Sequence, residues 1–193
     1  GIIAIQIDDD DRLIAVADTD GTRDLVIGSR NGMAIRFAEA DVRPMGRTAR
    51  GVRGMQLRDG DAAVAMEVLT DDGTLLTVCE NGYGKRTDVS EYRRQTRGGI
   101  GLKNVQTSER NGVVIGLACV TADHELLLVT EQGQIIRMKA GDLRPIGRDT
   151  QGVRLMDLAE GDRLVSIATL YEPADVTGDE PAGEPDEAGP PDA

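Results

Sequence analysis

The sequence predicts an all-β, propeller-type fold of four-stranded antiparallel blades in an incomplete ring. Three observations carry that prediction. The first is an internal repeat: Gly1-Ile-Ile-Ala-Ile-Gln-Ile7, Gly51-Val-Arg-Gly-Met-Gln-Leu57, Gly101-Leu-Lys-Asn-Val-Gln-Thr107 and Gly152-Val-Arg-Leu-Met-Asp-Leu158 align without gaps at spacings of 50, 50 and 51 residues. Self-similarity at such a period marks stacked supersecondary units. The second is a turn signal in the same register, Asn31-Gly32, Asn81-Gly82 and Gln132-Gly133. Asn-Gly between apolar runs marks a tight hairpin, expected here as type I′ because both residues tolerate positive φ. The third is the length of the apolar runs, which are strand-sized and lack helical periodicity.

In chain order, 13–17 is a short apolar strand and Asp18-Thr-Asp-Gly21 a turn. Strands follow at 25–29 and 33–37, on either side of Asn31-Gly32, and a basic loop over 43–50 leads to a strand at 52–57. The second repeat places strands at 63–69, 75–79, 83–87 and 102–105, and the third at 113–120, 126–130, 135–138 and 153–158. Each repeat therefore reads as a four-stranded antiparallel unit, the pattern of a propeller blade. The run 164–170 begins a fourth. Residues 1–7 need a blade before them and 164–170 a closing partner, so the chain is expected to be an N-terminally truncated fragment. Repeats lie near 1–50, 51–100 and 101–151, with a partial repeat over 152–171.

Composition bounds the chemistry. Only 2% of the residues are aromatic, so the core is expected to be built from Val, Leu, Ile, Met and Ala. The sequence lacks a membrane-length apolar run and a signal-peptide pattern, which points to a cytoplasmic protein. Cys79 and Cys119 fit two buried small hydrophobes in a reduced compartment. The formal charge of −12 is unevenly placed, because residues 172–193 hold eight acids and no Lys or Arg. The first 171 residues carry 22 basic and 26 acidic groups. The acidic tail holds five of the seven prolines and is expected to be disordered. A tethered polyanion of this kind would either occupy a basic surface of the same chain, competing with whatever binds there, or serve only as a solubilising tail.

Four columns of the repeat hold Lys or Arg every time: Arg36/Arg86/Arg137, Arg43/Arg93/Arg144, Arg47/Arg97/Arg148 and Arg53/Lys103/Arg154. Equivalent positions on successive blades should form a curved basic belt. Such a belt suits the phosphates of duplex DNA without regard to sequence, and it favours bent DNA. Lys85 and Arg94 lie beside two of the columns and join the expected DNA-binding set. The competing reading is internal pairing with a column of acids, Asp41, Glu91 and Asp142, two residues before the second arginine column. Single-stranded DNA fits poorly, since its bases need aromatic platforms.

The junction strings Ile35-Arg-Phe37, Arg43-Pro-Met-Gly-Arg-Thr-Ala-Arg-Gly-Val-Arg-Gly-Met55 and Ile146-Gly-Arg-Asp-Thr-Gln-Gly-Val-Arg154 resemble the blade junctions of the DNA gyrase A C-terminal domain family. The resemblance covers residues 1–170. It implies a β-pinwheel whose blades exchange strands, and duplex DNA wrapped with positive handedness in a bacterial topoisomerase that introduces negative supercoils. The family's seven-residue box, Gln-Arg-Arg-Gly-Gly-Lys-Gly, has a degenerate copy here in Gln95, Arg97, Gly98, Gly99 and Gly101, with Thr96 and Ile100 in place of basic residues. The implied partners are duplex DNA, the rest of gyrase A, and gyrase B, with no membrane and no small-molecule substrate. The related domain of topoisomerase IV and a propeller-type protein scaffold are the alternatives.

The chain itself is expected to be non-catalytic and to hold no cofactor. ATP and magnesium would be used by other parts of the parent enzyme. His124 stands without a metal-ligand pattern, and Gly82-Tyr-Gly-Lys85 lacks the spacing of a Walker A loop. Tyr83, Tyr92 and Tyr171 are not expected to be nucleophiles. Tyr92, beside Arg93 and Arg94, reads equally as a phosphate contact or a packing residue.

Overall fold

A computed structural model describes residues 1–171; the acidic tail and the roles expected of it lie outside the described residues. Three hairpins organise the chain: β1 (Asp24–Ser29) with β2 (Met33–Ala38), β4 (Thr74–Cys79) with β5 (Tyr83–Asp88), and β8 (Glu125–Thr130) with β9 (Ile135–Lys139). Between them run β3 (Ala63–Leu69), β6 (Leu102–Lys103), β7 (Val114–Val120), β10 (Val153–Arg154) and β11 (Leu164–Leu170). The expected β content is present, and the longer strands fall within a residue or two of the apolar runs, whereas the run expected at 153–158 pairs only over Val153–Arg154.

The turns differ from the expected type. Gly32, Gly82 and Gly133 take positive φ, but no residue other than glycine does among the described residues, so Asn31 and Asn81 keep negative φ. The amide of each glycine donates to the carbonyl three residues back, Gly32 to Ser29, Gly82 to Cys79 and Gly133 to Thr130. These are three-residue loops closed by a left-handed glycine rather than type I′ turns. Glycine is needed at the third position only, which is why Gln132 can replace Asn in the last hairpin.

The grouping of strands also differs from one repeat per blade. The sheet orders are β3-β1-β2-β6, β10-β5-β4-β7 and β11-β8-β9, all antiparallel. A hairpin from one repeat is thus flanked by a long strand from the next and a two-residue strand from the repeat after that. Residues 52–57, expected to complete the first blade, form no strand; β6 takes that place, with Met33 opposite Lys103 and Ala34 opposite Leu102. Residues 1–7 and 13–17 also form no strand. The counterparts that do pair, β6 and β10 for the first run and β3, β7 and β11 for the second, are edge strands on an earlier hairpin, and no hairpin lies before residue 13 in the described chain. Unpaired, they leave Ile2, Ile3, Leu13 and Val16 exposed.

Exchange is reinforced outside the ladders. The carbonyl of Gly32 accepts from the amides of Asn104 and Val105, and that of Gly82 from Leu155 and Met156. Tyr92 donates its hydroxyl to Asn104 Oδ1 at 2.5 Å, and Asn104 Nδ2 donates to Thr77 Oγ1 at 2.9 Å. Apolar cores fill the spaces between sheets: Val26, Leu69, Leu75, Val105 and Leu117 between the first and second, Leu76, Val120, Leu126, Leu128 and Leu164 between the second and third. A smaller cluster of Leu25, Ile35 and Phe37 caps the first sheet. Aliphatic side chains dominate, as the composition requires, and Phe37, Tyr83 and Tyr92 are the buried aromatic side chains among the described residues.

Close approach at the exchanged strand makes Gly101 irreplaceable. Its φ is +83°, and a Cβ there would lie 2.4 Å from the Ala34 carbonyl oxygen. Gly101→Ala is expected to cost about 3 kcal/mol in a urea unfolding titration, through left-handed strain and the backbone collision together. Gly147→Ala, with open space around its Cβ and no positive φ, is the control and is expected to stay within about 0.5 kcal/mol.

Candidate nucleic-acid interface

Each hairpin runs straight into a single 3-10 turn: Glu39–Asp41, Val89–Glu91 and Ala140–Asp142. The residue after each turn is extended, with φ/ψ of −99/102 at Val42, −102/95 at Tyr92 and −92/108 at Leu143, and its amide closes the turn. Tyr92 and Leu143 are buried and Val42 is half-buried. An anchored, inward residue in extended backbone throws the next side chain outward. The next residues are Arg43, Arg93 and Arg144. All three are exposed, and none makes a side-chain hydrogen bond or ion pair with another described residue. The three local geometries are near-copies, so one guanidinium leaves each blade at the same place.

The acids expected to neutralise that column form no ion pair with it. Arg97 donates Nε to the Asp41 carbonyl at 2.9 Å and Nη1 to the Arg53 carbonyl at 3.0 Å. Arg148 donates Nη1 to the Lys103 carbonyl at 2.9 Å, lies 3.9 Å from Glu91 and sits 5.9 Å above the Tyr92 ring. Two members of the third column, Arg97 and Arg148, are thus tethered to the preceding blade by part of each guanidinium. Arg47, its first member, is exposed without such partners. In the fourth column Arg53 is exposed, Lys103 lies 3.7 Å from Asp149, and Arg154 pairs with Asp157 and donates to the Tyr83 hydroxyl at 3.1 Å.

The first column departs from the expected belt. Arg36 binds Asp24 at 2.7 Å and donates Nη1 to the carbonyls of Val89 and Tyr92. Arg86 is buried, with Nε on Thr74 Oγ1 at 2.8 Å and Nη1 on the carbonyls of Ala140 and Leu143. Each reaches from one hairpin to the two carbonyls that bracket the next blade's 3-10 turn. Burial lowers the Arg86 pKa in direction, the cost of holding the charge inside. Arg137 pairs with Glu125 at the outer side of the third sheet. Lys85 is 1% exposed, and its ammonium donates to the carbonyls of Gly147 and Arg148. Arg94 is exposed but shares Asp24 with Arg36. Arg36, Arg86 and Lys85 therefore belong to the joints between blades rather than to an exposed belt, because the buried carbonyls at those joints need donors.

The degenerate box is likewise built into a joint. Gln95 donates its amide to the Arg36 carbonyl, Gly98 donates to Gly54, and the Gly99 carbonyl accepts from Gln56. The Gly98 amide is therefore spent within the fold. Gly98 takes φ of +82°, and Gly99 lies against Ile35. Tyr92 is a packing residue, its hydroxyl buried and its pKa pushed upward by burial. Burial also pushes the Cys79 thiol up to about 12, which keeps it an inert hydrophobe.

Functional residues without a clear signal in the sequence fall into two groups. Asp24, Thr74 and Glu125 form the column that receives the first arginines. Its mixed chemistry hid it, although each member lies twelve residues before its arginine. Arg110, exposed over the Tyr83 ring at 4.9 Å, lies outside every basic column. No helix among the described residues is long and apolar enough to cross a membrane.

The structure defines a repeat-built, strand-exchanging propeller-like domain with one unpaired arginine displayed at each blade. Comparison with known proteins fixes the class further. The sequence matches the family described as DNA gyrase C-terminal domain, beta-propeller, over residues 1–20, 23–70, 73–121 and 124–170, and the chain belongs to that family. It is 49% identical over 171 residues to the A subunit of DNA gyrase from Haloquadratum walsbyi and 46% identical over 177 residues to that from Staphylococcus epidermidis. Those alignments cover 88% and 91% of this chain and 20% of each relative, so the chain spans about a fifth of their length. A solved structure of a DNA gyrase A C-terminal domain superposes with a TM-score of 0.83 at 31% identity, covering 89% of this chain and 58% of the other. The C-terminal domain of a DNA topoisomerase IV superposes equally well, at 0.83 and 28% identity, covering 87% and 53%.

Proposed function

We propose that the chain binds duplex DNA without sequence specificity and bends it along successive blades, as the DNA-wrapping module of a type IIA topoisomerase of the gyrase kind. The observation that carries this reading is the display of Arg43, Arg93 and Arg144, one per blade, after three 3-10 turns of near-identical geometry. Unpaired guanidinium groups at a regular step match regularly spaced phosphates and have no other partner among the described residues. Arg47, Arg53, Lys103, Arg97, Arg148, Arg154 and Arg94 are exposed or partly exposed around them and add to the field. The module would act with the rest of gyrase A and with gyrase B, in the cytoplasm. Strand cleavage and the use of ATP and magnesium would belong to those other parts. The topoisomerase IV domain of similar shape supports a second reading with the same DNA-binding step. The identity to gyrase A from several organisms favours the first.

A duplex gel shift at two salt concentrations tests the binding step. Affinity is expected to fall by about tenfold or more between roughly 50 and 200 mM salt, as counterion release requires. Binding that does not respond to salt, or that prefers single strands, would contradict it.

A further inference from the structure

Two junction loops dock on two hairpins in the same manner but rest on different side chains. Gln95 donates its amide to the Arg36 carbonyl at 2.8 Å, and Ile146 donates to the Arg86 carbonyl at 2.8 Å. Beneath the first loop lies Ile35, fully buried and opposite Ile27 in the ladder. Beneath the second, at the same register opposite Thr77, lies Lys85. The third hairpin has Ile136 there, opposite Leu128. An ammonium with 1% exposure stands where the other two blades have isoleucine. Such a charge is costly to bury unless its donors are used.

The loops above explain the exchange. The first turns through Gly98-Gly99, with φ of +82° at Gly98 and its amide on the Gly54 carbonyl at 2.6 Å. The second has Asp149-Thr150 at those positions. Among the described residues none other than glycine takes positive φ, so this loop turns differently. The Thr150 amide donates to the Arg148 carbonyl at 2.9 Å, and Thr150 Oγ1 donates to the Gly147 carbonyl at 3.1 Å. That gathers the carbonyls of Gly147 and Arg148 over the sheet, where the Lys85 ammonium meets both, Gly147 at 2.8 Å. An ammonium has three donors and no acceptor, which suits a pair of carbonyls that each take one bond from Thr150 and have a second lone pair to fill, a bond that isoleucine could not supply.

We propose that Lys85 is a positioning residue for DNA binding: its buried ammonium sets the backbone of loop 146–150 and so aims Arg148 and the neighbouring Arg144, the task that Gly98-Gly99 over Ile35 performs one blade earlier. The proposal rests on the DNA-binding reading above. It adds a pH response confined to this blade. The charged and titratable groups facing Lys85 are Arg148 and Asp149 from the loop, Cys79 from β4 and Glu91 from the 3-10 turn. Burial first, and then the Arg148 charge, lower the Lys85 pKa to about 8. Above that value the ammonium loses its charge-assisted hold on the loop. The stability effect runs the other way. The folded value lies below the unfolded one, so the unfolded chain binds more protons between about 8 and 10.5, and this group's contribution to stability rises with pH across that window. A merely structural lysine would follow the second trend, and a positioning lysine shows the first in DNA affinity.

The test uses the full chain, a fluorescent duplex at fixed ionic strength, and circular dichroism to confirm folding. Wild-type affinity is expected to fall about fivefold between roughly pH 7 and 9.5 as the charge-assisted bonds are lost. Lys85→Ile is expected to bind at least about fivefold more weakly at pH 7 than wild type, with that step removed from its profile. Combining Lys85→Ile with Asp149→Gly and Thr150→Gly rebuilds the first blade's arrangement. The triple variant is expected to recover affinity to within about twofold of wild type without the pH step. A wild-type profile flat through pH 8 overturns the proposal whether or not Lys85→Ile folds. So does a folded Lys85→Ile with wild-type affinity and profile. Absence of duplex binding by wild type at every pH would instead refute the DNA reading. In that event amide exchange at Thr150 decides the positioning role, measured in Lys85→Ile or, if that variant is unfolded, in wild type above pH 8 after correction for the intrinsic rate. Faster exchange than in wild type at pH 7 supports the role, and unchanged exchange overturns it.

Discussion

Replacing Arg43, Arg93 and Arg144 together with glutamate is expected to weaken duplex binding by about a hundredfold and to lower the log–log salt slope by about 2.7, roughly 0.9 for each phosphate no longer neutralised. The fold should be untouched, because none of the three side chains bonds to another described residue. That separates this column from the others. The same change at Arg47, Arg97 and Arg148 would also remove the bonds from Arg97 to the Asp41 and Arg53 carbonyls and from Arg148 to Lys103, so weaker binding there would mix electrostatics with altered joints. Fluorescence anisotropy over a salt series, with the melting curve of each variant alongside, distinguishes the two. Unchanged affinity and slope in a folded Arg43/Arg93/Arg144 variant would remove these arginines from the interface.

Arg86→Met is expected to cost about 3 kcal/mol of stability. The guanidinium is buried and serves Thr74 Oγ1 and the carbonyls of Ala140 and Leu143. Methionine fills much of the volume and leaves those acceptors without their donor. The corresponding change at Arg137, whose side chain is 53% exposed, is expected to cost no more than about 1 kcal/mol. Urea unfolding of both variants measures the difference. Equal losses would mean that burial at the joint does not distinguish the two members of the column.

The sequence made the repeat, the hairpins and the strand positions visible because they depend on local chemistry: apolar runs of strand length and a glycine where φ turns positive. Strand exchange was not visible in the repeat itself. Residues 52–57 and Leu102–Lys103 are equivalent in sequence, yet only the second meets a hairpin edge that is present. The arginine columns show the same limit at the level of the site. A periodic arginine looks alike whether it faces solvent, as Arg93 does, or two backbone carbonyls, as Arg86 does. The difference lies in the register of the next blade's 3-10 turn, and one-dimensional periodicity does not record it. Lys85 was legible as a basic residue beside a column, but its burial follows from the pleat: it shares the inward register of Ile35 and Ile136. β5 itself carried no alternation that could signal it, because every residue from Tyr83 to Thr87 is buried, the neighbouring Arg86 included.

The central claim is that arginines displayed blade by blade hold duplex DNA along a curve. Energy transfer between dyes at the two ends of a duplex of about 30 base pairs measures this directly, since bending such a site brings its ends together. Titration with the chain at low salt is expected to raise the transfer efficiency in parallel with binding, and the Arg43/Arg93/Arg144 glutamate variant is expected to abolish both. A duplex that binds with full wild-type affinity while its ends stay as far apart as in the free state would contradict the account.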